Sequence, residues 1–198
     1  MEEAWVHLCI DVQRMFAEDT PWHVPWMARV VPNIVAVADR HPEKTIFTRF
    51  VPPTNATAMS GSWRHYYEKW HVMTRDEMPS EHINLIAPLQ DFVPPACIFD
   101  KMTYSPWVDG RLHATLVKRG IDAIVLTGGE TEVCVLAAAL GAIDLGYRII
   151  LLRDALCSGA DETHDAILKV MEDRYSVQVS IMQTEEFLQM ARPALSSS

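Results

Sequence analysis

The stretch AIVLTGGETEVCVLAAAL, residues 123–140, runs from an apolar segment through two glycines and two acids to a cysteine and a run of alanines. A short apolar run closed by glycine reads as a strand buried on both faces, here 123–126. Gly128 and Gly129 break it, and from 133 to 145 apolar residues recur at three and four, the period of a helix that stops at Gly146. Strand, glycine turn and helix together make half of a parallel crossover unit, with Cys134 near the start of the helix.

The same alternation extends in both directions. Apolar runs at 6–12, 45–50, 97–100, 148–152 and 177–182 read as further strands, and helical periods occupy 31–40, 108–119, 161–175 and 185–190. Asp161 followed by Glu162 reads as a helix cap with an acid in the first turn, and Gly120 sits where a helix should stop. The expected fold is α/β, a doubly wound six-stranded parallel sheet with helices on both faces. One domain is expected over 1–198, since no repeat or linker divides it, with a short tail at 193–198 that frays. The segment at about 51–91 breaks the rhythm. It opens with Pro52 and Pro53 and carries Trp63, Tyr66, Tyr67 and Trp70, so it reads as an inserted lid with a short helix over 63–70. Its rings either anchor the insertion or meet the substrate.

Composition narrows the function. Of 198 residues, 49% are hydrophobic and 22% charged, enough for one substantial core. A net charge of -9 argues against nucleic acid as partner and favours a small molecule. The acidic N-terminus and the lack of any apolar run near ~20 residues argue against export and membrane insertion. Four scattered cysteines suit a reducing cytoplasm, and Cys9, Cys97 and Cys157, in or beside strands, read as core residues.

In a doubly wound sheet, ligands bind beyond the carboxyl ends of the strands where the order reverses. Asp11, Lys101 and Cys134 stand at or just past such ends. Each alone has a plainer reading, as a turn aspartate, a surface lysine and a small buried hydrophobe. Together, a carboxylate to take a proton, a cation to favour thiolate and a thiol at a helix start meet the needs of a cysteine nucleophile. A depressed thiol pKa at Cys134 is therefore expected. Gln13, Phe16, Tyr104, Ser105 and Trp107 should line the same cleft, with Phe16 and Trp107 as walls. Arg49 can fork onto a substrate oxygen or form a structural ion pair. His164 reads as a helix-surface or interface histidine. No GxGxxG follows the first strand, and the acids of GGETEV stand where a phosphate would lie, so a nucleotide cofactor is not expected.

At Ile10–Asp11–Val12–Gln13, Asp100–Lys101 with Ser105, and Leu126 through Val135, the chain resembles the isochorismatase-like cysteine hydrolases. That family includes nicotinamidases, carbamoylsarcosine amidohydrolases, and biuret and ureidoacrylate hydrolases. The resemblance implies strand order 3-2-1-4-5-6 and a catalytic triad of Asp11, Lys101 and Cys134. It also implies a cis peptide between Gly129 and Glu130 and an oxyanion hole formed by the backbone N–H groups of Glu130 and Cys134. The Asp and His metal ligands that nicotinamidases carry after the second strand are missing from Thr48, Arg49, Phe50, Val51, Pro52, Pro53, so neither metal nor cofactor is expected. The implied activity is C–N hydrolysis of a small amide, carbamoyl or ureido substrate through a thioester. The alternatives are isochorismatase-type ether hydrolysis, which needs no cysteine, and a non-catalytic binding role. The family is commonly dimeric or tetrameric, so a homo-oligomer is expected.

Overall fold

Six parallel strands form one sheet in the order β3-β2-β1-β4-β5-β6. They are β1 (Trp5–Ile10), β2 (Thr45–Phe50), β3 (Cys97–Lys101), β4 (Ala123–Gly129), β5 (Arg148–Cys157) and β6 (Val179–Met182). The computed structural model describes residues 4–191, and the tail at 193–198 lies outside them. The central strands β1 and β4 are buried at every position, as parallel strands covered on both faces must be.

Between and after the strands come α1 (Arg14–Ala17), α2 (Met27–Arg40), α3 (Gly61–Lys69), α4 (Ala87–Gln90), α5 (Arg111–Lys118), α6 (Leu136–Asp144), α7 (Asp161–Arg174) and α8 (Thr184–Met190). One face of the sheet is covered by α2 and α8, whose Val30, Ile34, Val37 and Phe187 pack on Cys9, Phe47 and Val125. The other is covered by α5, α6 and α7, with Leu112, Leu116, Ala138, Ala142 and Leu168 against Leu8, Ile124 and Leu126. The small residues of α6 let the helix come close: a Cβ on Gly141 would stand 2.4 Å from the Trp107 ring.

Several boundaries differ from the periodicity of the sequence, each for a physical reason. β4 continues through both glycines, because at Gly128 it presses directly on β1. There φ is +99° and a Cβ would lie 2.1 Å from the Ile10 carbonyl oxygen, so glycine extends the strand rather than ending it. The helix expected from 133 begins as a π-helical turn, Thr131–Val135, before α6. Ala160 precedes α7 and Asp161 is its first residue, an acid in the first turn rather than the cap. Cys97 is exposed, not core, because β3 is the edge of the sheet. The insertion forms α3, α4 and three 3-10 turns, with Tyr67 buried and Met73 and Met78 packed on Met15.

His7 lies wholly inside the core, on β1 between β2 and β4. The Thr45 hydroxyl donates to the His41 carbonyl, so it accepts from His7 Nδ1 at 3.1 Å, and Nε2 then accepts from the Thr127 hydroxyl at 2.8 Å. Burial, with His41 nearby, holds the imidazole neutral and lowers its pKa to about 3. Unfolded chains take up this proton below about 6.5, so stability is complete above that pH and is lost as the pH falls toward 3. Urea unfolding at pH 7 and pH 4 should show His7→Gln losing about 3 kcal/mol less over that interval than the unaltered chain. Equal losses would mean that the buried imidazole is not the acid-sensitive group.

Candidate active site

Asp11 follows β1 directly and takes a left-handed φ of 50°, a conformation aspartate tolerates better than most residues. Thr48, on the neighbouring strand β2, fixes it twice. The Thr48 hydroxyl donates to Asp11 Oδ1 at 2.6 Å and accepts from the Asp11 N–H at 3.1 Å. The other carboxylate oxygen receives Lys101 Nζ at 2.6 Å, in an ion pair whose side chains are 1% and 2% exposed. Lys101 ends β3 opposite Phe50, so its chain reaches across β2, with Nζ 5.2 Å from the Phe50 ring centroid. Its second hydrogen bond goes to the Thr103 carbonyl at 3.0 Å.

Cys134 projects from the π-helical turn after β4, a departure from regular helix of the kind found at functional sites. The charges of both Asp11 and Lys101 act on its thiol. Burial tends to lower the Lys101 pKa, but the Asp11 carboxylate and the Cys134 sulfur outweigh it and the ammonium is held above its ordinary range. For Cys134 the balance runs the other way. Burial pushes the thiol well above the ordinary cysteine range, Asp11 and Glu130 add to this, and Lys101 only partly opposes it. The expectation of a depressed thiol pKa is thus corrected in direction: burial and the neighbouring acids push the thiol upward.

The thiol opens on a cavity of about 240 Å³. Phe16, Trp22, Phe50, Tyr66 and Tyr104 form an aromatic wall, Val133 and Pro21 add apolar surface, Glu130 brings a half-buried carboxyl, and His23 stands at the exposed rim. Burial raises the pKa of both the Tyr66 and the Tyr104 phenol. Burial, followed by the neighbouring Glu132, also raises the Glu130 carboxyl. The Gly129–Glu130 peptide bond is cis. The indole N–H of Trp22 is buried without a partner among the described residues.

Of the residues expected in the cleft, Phe16, Tyr66 and Tyr104 line the cavity, and the others are placed elsewhere. Gln13 is consumed by the backbone: its amide donates to the Phe50 and Ile83 carbonyls at 3.0 and 2.8 Å and accepts from the Phe50 N–H at 2.7 Å. Arg49 points to the opposite face of β2 from Thr48 and Phe50, as strand alternation requires, and forks onto Asp100 at 2.7 and 2.8 Å. Ser105 lines a separate hollow of about 420 Å³ with Met102, Val108 and Arg111, which does not contain Cys134. Trp107 is buried beneath α6, its indole N–H donating to the Ala138 carbonyl at 2.8 Å. Trp63 and Tyr67 back the wall, ring against ring, at 4.9 Å from Tyr104 and 5.2 Å from Tyr66, while Trp70 belongs to the methionine cluster under the insertion. His164 is buried rather than on the surface, its Nδ1 2.9 Å from the Thr131 hydroxyl.

Thr48, Trp22 and Phe50 escaped the sequence reading. Thr48 and Phe50 carry the period-two signal of a strand end beside Asp11; Trp22 lies in an irregular loop, where no periodicity points to it. No three His, Cys, Asp or Glu side chains gather as metal ligands among the described residues, and His65 pairs instead with Glu68. No helix among them is long and apolar enough to cross a membrane.

Comparison with known proteins adds to this geometry. The isochorismatase domain, as a family profile, matches residues 6–185. The uncharacterized isochorismatase family protein YwoC of Bacillus subtilis is 29% identical over 182 residues, covering 83% of this chain and 84% of that one. Among solved structures, a cysteine hydrolase from Pseudomonas syringae superposes with a TM-score of 0.78 at 21% identity, covering 93% of this chain and 91% of that one. N-carbamoylsarcosine amidase from Thermoplasma acidophilum gives 0.73 at 16% identity, covering 92% and 97%.

The charges around the sulfur can be tested by alkylation with iodoacetamide, read residue by residue through peptide mapping. At neutral pH Cys134 should react far more slowly than the exposed Cys97. Asp11→Asn, which removes a group that raises the thiol pKa, should speed Cys134 by about tenfold, and Lys101→Met should slow it by a similar factor. Changes in the same direction for both variants would show that access, not charge, controls the sulfur.

Proposed function

The chain belongs to the isochorismatase domain family of hydrolases, and we propose on that footing that it is a cysteine-dependent hydrolase of a small amide, carbamoyl or ureido compound. One observation carries the reading: Cys134 lines a single small cavity and its thiol feels both charges of the buried Asp11–Lys101 ion pair, the three residues coming from separate strand ends. The similarity to a cysteine hydrolase and to N-carbamoylsarcosine amidase supports the same chemistry.

In the proposed reaction the Cys134 proton passes to Asp11 as the sulfur attacks the substrate carbonyl. The oxygen of that carbonyl takes up the negative charge, facing the backbone N–H groups of Glu130 and Cys134 as an oxyanion hole. The C–N bond then breaks, and the proton held by Asp11 goes to the departing nitrogen, which leaves as ammonia or an amine. A water molecule next gives a proton to Asp11 and attacks the thioester. The C–S bond breaks, the acid product leaves, and Asp11 returns its proton to the sulfur. One carboxylate thus serves as base and acid in turn. Lys101 holds Asp11 in place between steps, and its positive charge balances the negative charge that passes between Asp11, the sulfur and the carbonyl oxygen.

Replacing Cys134 with Ala should abolish ammonia release across a panel of small amides and ureas, while thermal unfolding shows the fold intact. Asp11→Asn should lower kcat/KM by at least about 10³-fold, and combining it with Cys134→Ala should cost little more than Cys134→Ala alone, since residues that act as a unit are not additive. Turnover by Cys134→Ala at the unaltered rate would refute the nucleophile.

A further inference from the structure

The cavity is one-sided in charge. Among the residues lining it, Glu130 is the acid and no lysine or arginine is present. The Lys101 ammonium is already committed to Asp11 and to the Thr103 carbonyl. Facing Glu130 is a continuous belt of rings: Trp22 lies 6.1 Å from Phe16 and 5.9 Å from both Phe50 and Tyr66, and Phe50 lies 6.5 Å from Tyr104. Aromatic rings attract cations through their quadrupole, and the attraction grows where water is excluded.

A second acid stands behind the first. Glu132 Oε1 accepts the Ser158 and Thr163 hydroxyls at 2.7 and 2.8 Å, and its buried Oε2 has no partner among the described residues. An anionic group entering the cavity therefore meets a carboxylate backed by another, with no lysine or arginine among the lining residues and only His23, at the exposed rim, able to become a cation. A cation offsets both, and a chain of net charge -9 draws cations toward it from solution.

We propose that the substrate is a small amide bearing a positively charged nitrogen, with its reacting carbonyl at Cys134 and its cationic group held between the aromatic belt and the Glu130 carboxylate. Glu130 then has two separate parts: its backbone N–H in the oxyanion hole and its side chain in selecting charge. Burial, and after it Glu132, raise the Glu130 carboxyl, and a cation held beside it offsets both by favouring the charged form. The assignment rests on the amide-hydrolase reading, and the measurements below separate the two.

Three carboxamides of matched size, carrying an ammonium, a neutral or a carboxylate group, are compared for kcat/KM. The ammonium amide should exceed the carboxylate amide by about tenfold or more, and Glu130→Gln should reduce that ratio to within about threefold while the neutral amide reports the catalytic integrity of the variant. A preference for the carboxylate amide, or a ratio unmoved by Glu130→Gln, overturns the proposal. Independently of turnover and of any variant, benzyltrimethylammonium should protect Cys134 of the unaltered protein from iodoacetamide near pH ~9, and benzenesulfonate should not. Equal or better protection by the sulfonate also overturns it. Protection by the cation without hydrolysis of any amide would leave the charge preference standing and remove the amidase reading; hydrolysis without charge preference would do the reverse.

Discussion

The ammonium of Lys101 and the carboxylate of Asp11, 2.6 Å apart and both withdrawn from water, form the contact on which the site is built. Either charge alone in that position would cost several kcal/mol, so neither residue can be in place without the other. They belong to strands that do not touch: Lys101 ends β3, Asp11 follows β1, and β2 lies between. The pair therefore holds only when the three strands keep their register, with Phe50 opposite Lys101 and Phe47 opposite Cys9. A slip of one residue in β2 would turn Thr48 to the other face and leave Asp11 Oδ1 without its donor. The sheet positions the base, and the ion pair in turn constrains the sheet.

The sulfur is held from the other side of the strand-order reversal. Gly128 lets β4 lie against Ile10 more closely than any side chain would permit, and the π-helical turn follows at once. That turn is tied to the end of β5 and the start of α7 by polar contacts. The Thr131 hydroxyl donates to the Cys157 carbonyl at 3.1 Å and so accepts from His164, while Glu132 receives the Ser158 and Thr163 hydroxyls. Two independently braced halves of the sheet thus present their reactive groups to one another across the junction of β1 and β4.

The alternation of strand and helix, and the places of Asp11, Lys101 and Cys134 at or just past strand ends, were legible in local signals such as apolar runs and glycine stops, whereas the strand order came from the family resemblance. What failed was side-chain direction and hydrogen-bond commitment, which a linear sequence does not carry. Gln13 stands two residues from Asp11 yet spends its whole amide on the backbone of β2 and the insertion. Arg49 is adjacent to Thr48 and Phe50 but belongs to the other face. Trp107 is close to Lys101 in sequence and serves as packing for α6. Gly128 and Gly129 were read as a break because glycine usually ends a strand, whereas here the missing Cβ is what allows the strand to continue. Cys97 was misplaced because nothing in its own neighbourhood marks β3 as the edge.

The upward push on the Cys134 thiol has a simple electrostatic origin that also describes the proposed reaction. Apart from the Glu130 carboxyl on the cavity wall, the buried site holds one cation, Lys101, and two groups able to become anions, Asp11 and Cys134. A thiolate formed while Asp11 is ionised would put two negative charges beside one positive charge in a dry pocket, which burial strongly disfavours. Moving a proton from sulfur to carboxylate avoids this, because one anion disappears as the other appears. When the sulfur attacks, the charge passes on to the carbonyl oxygen while Asp11 keeps the proton, and the count of one anion against one cation is unchanged. Each later step conserves it as well. A thiol that is a poor nucleophile at rest and gains charge only as the carbonyl accepts it follows from a site with a single buried counter-ion.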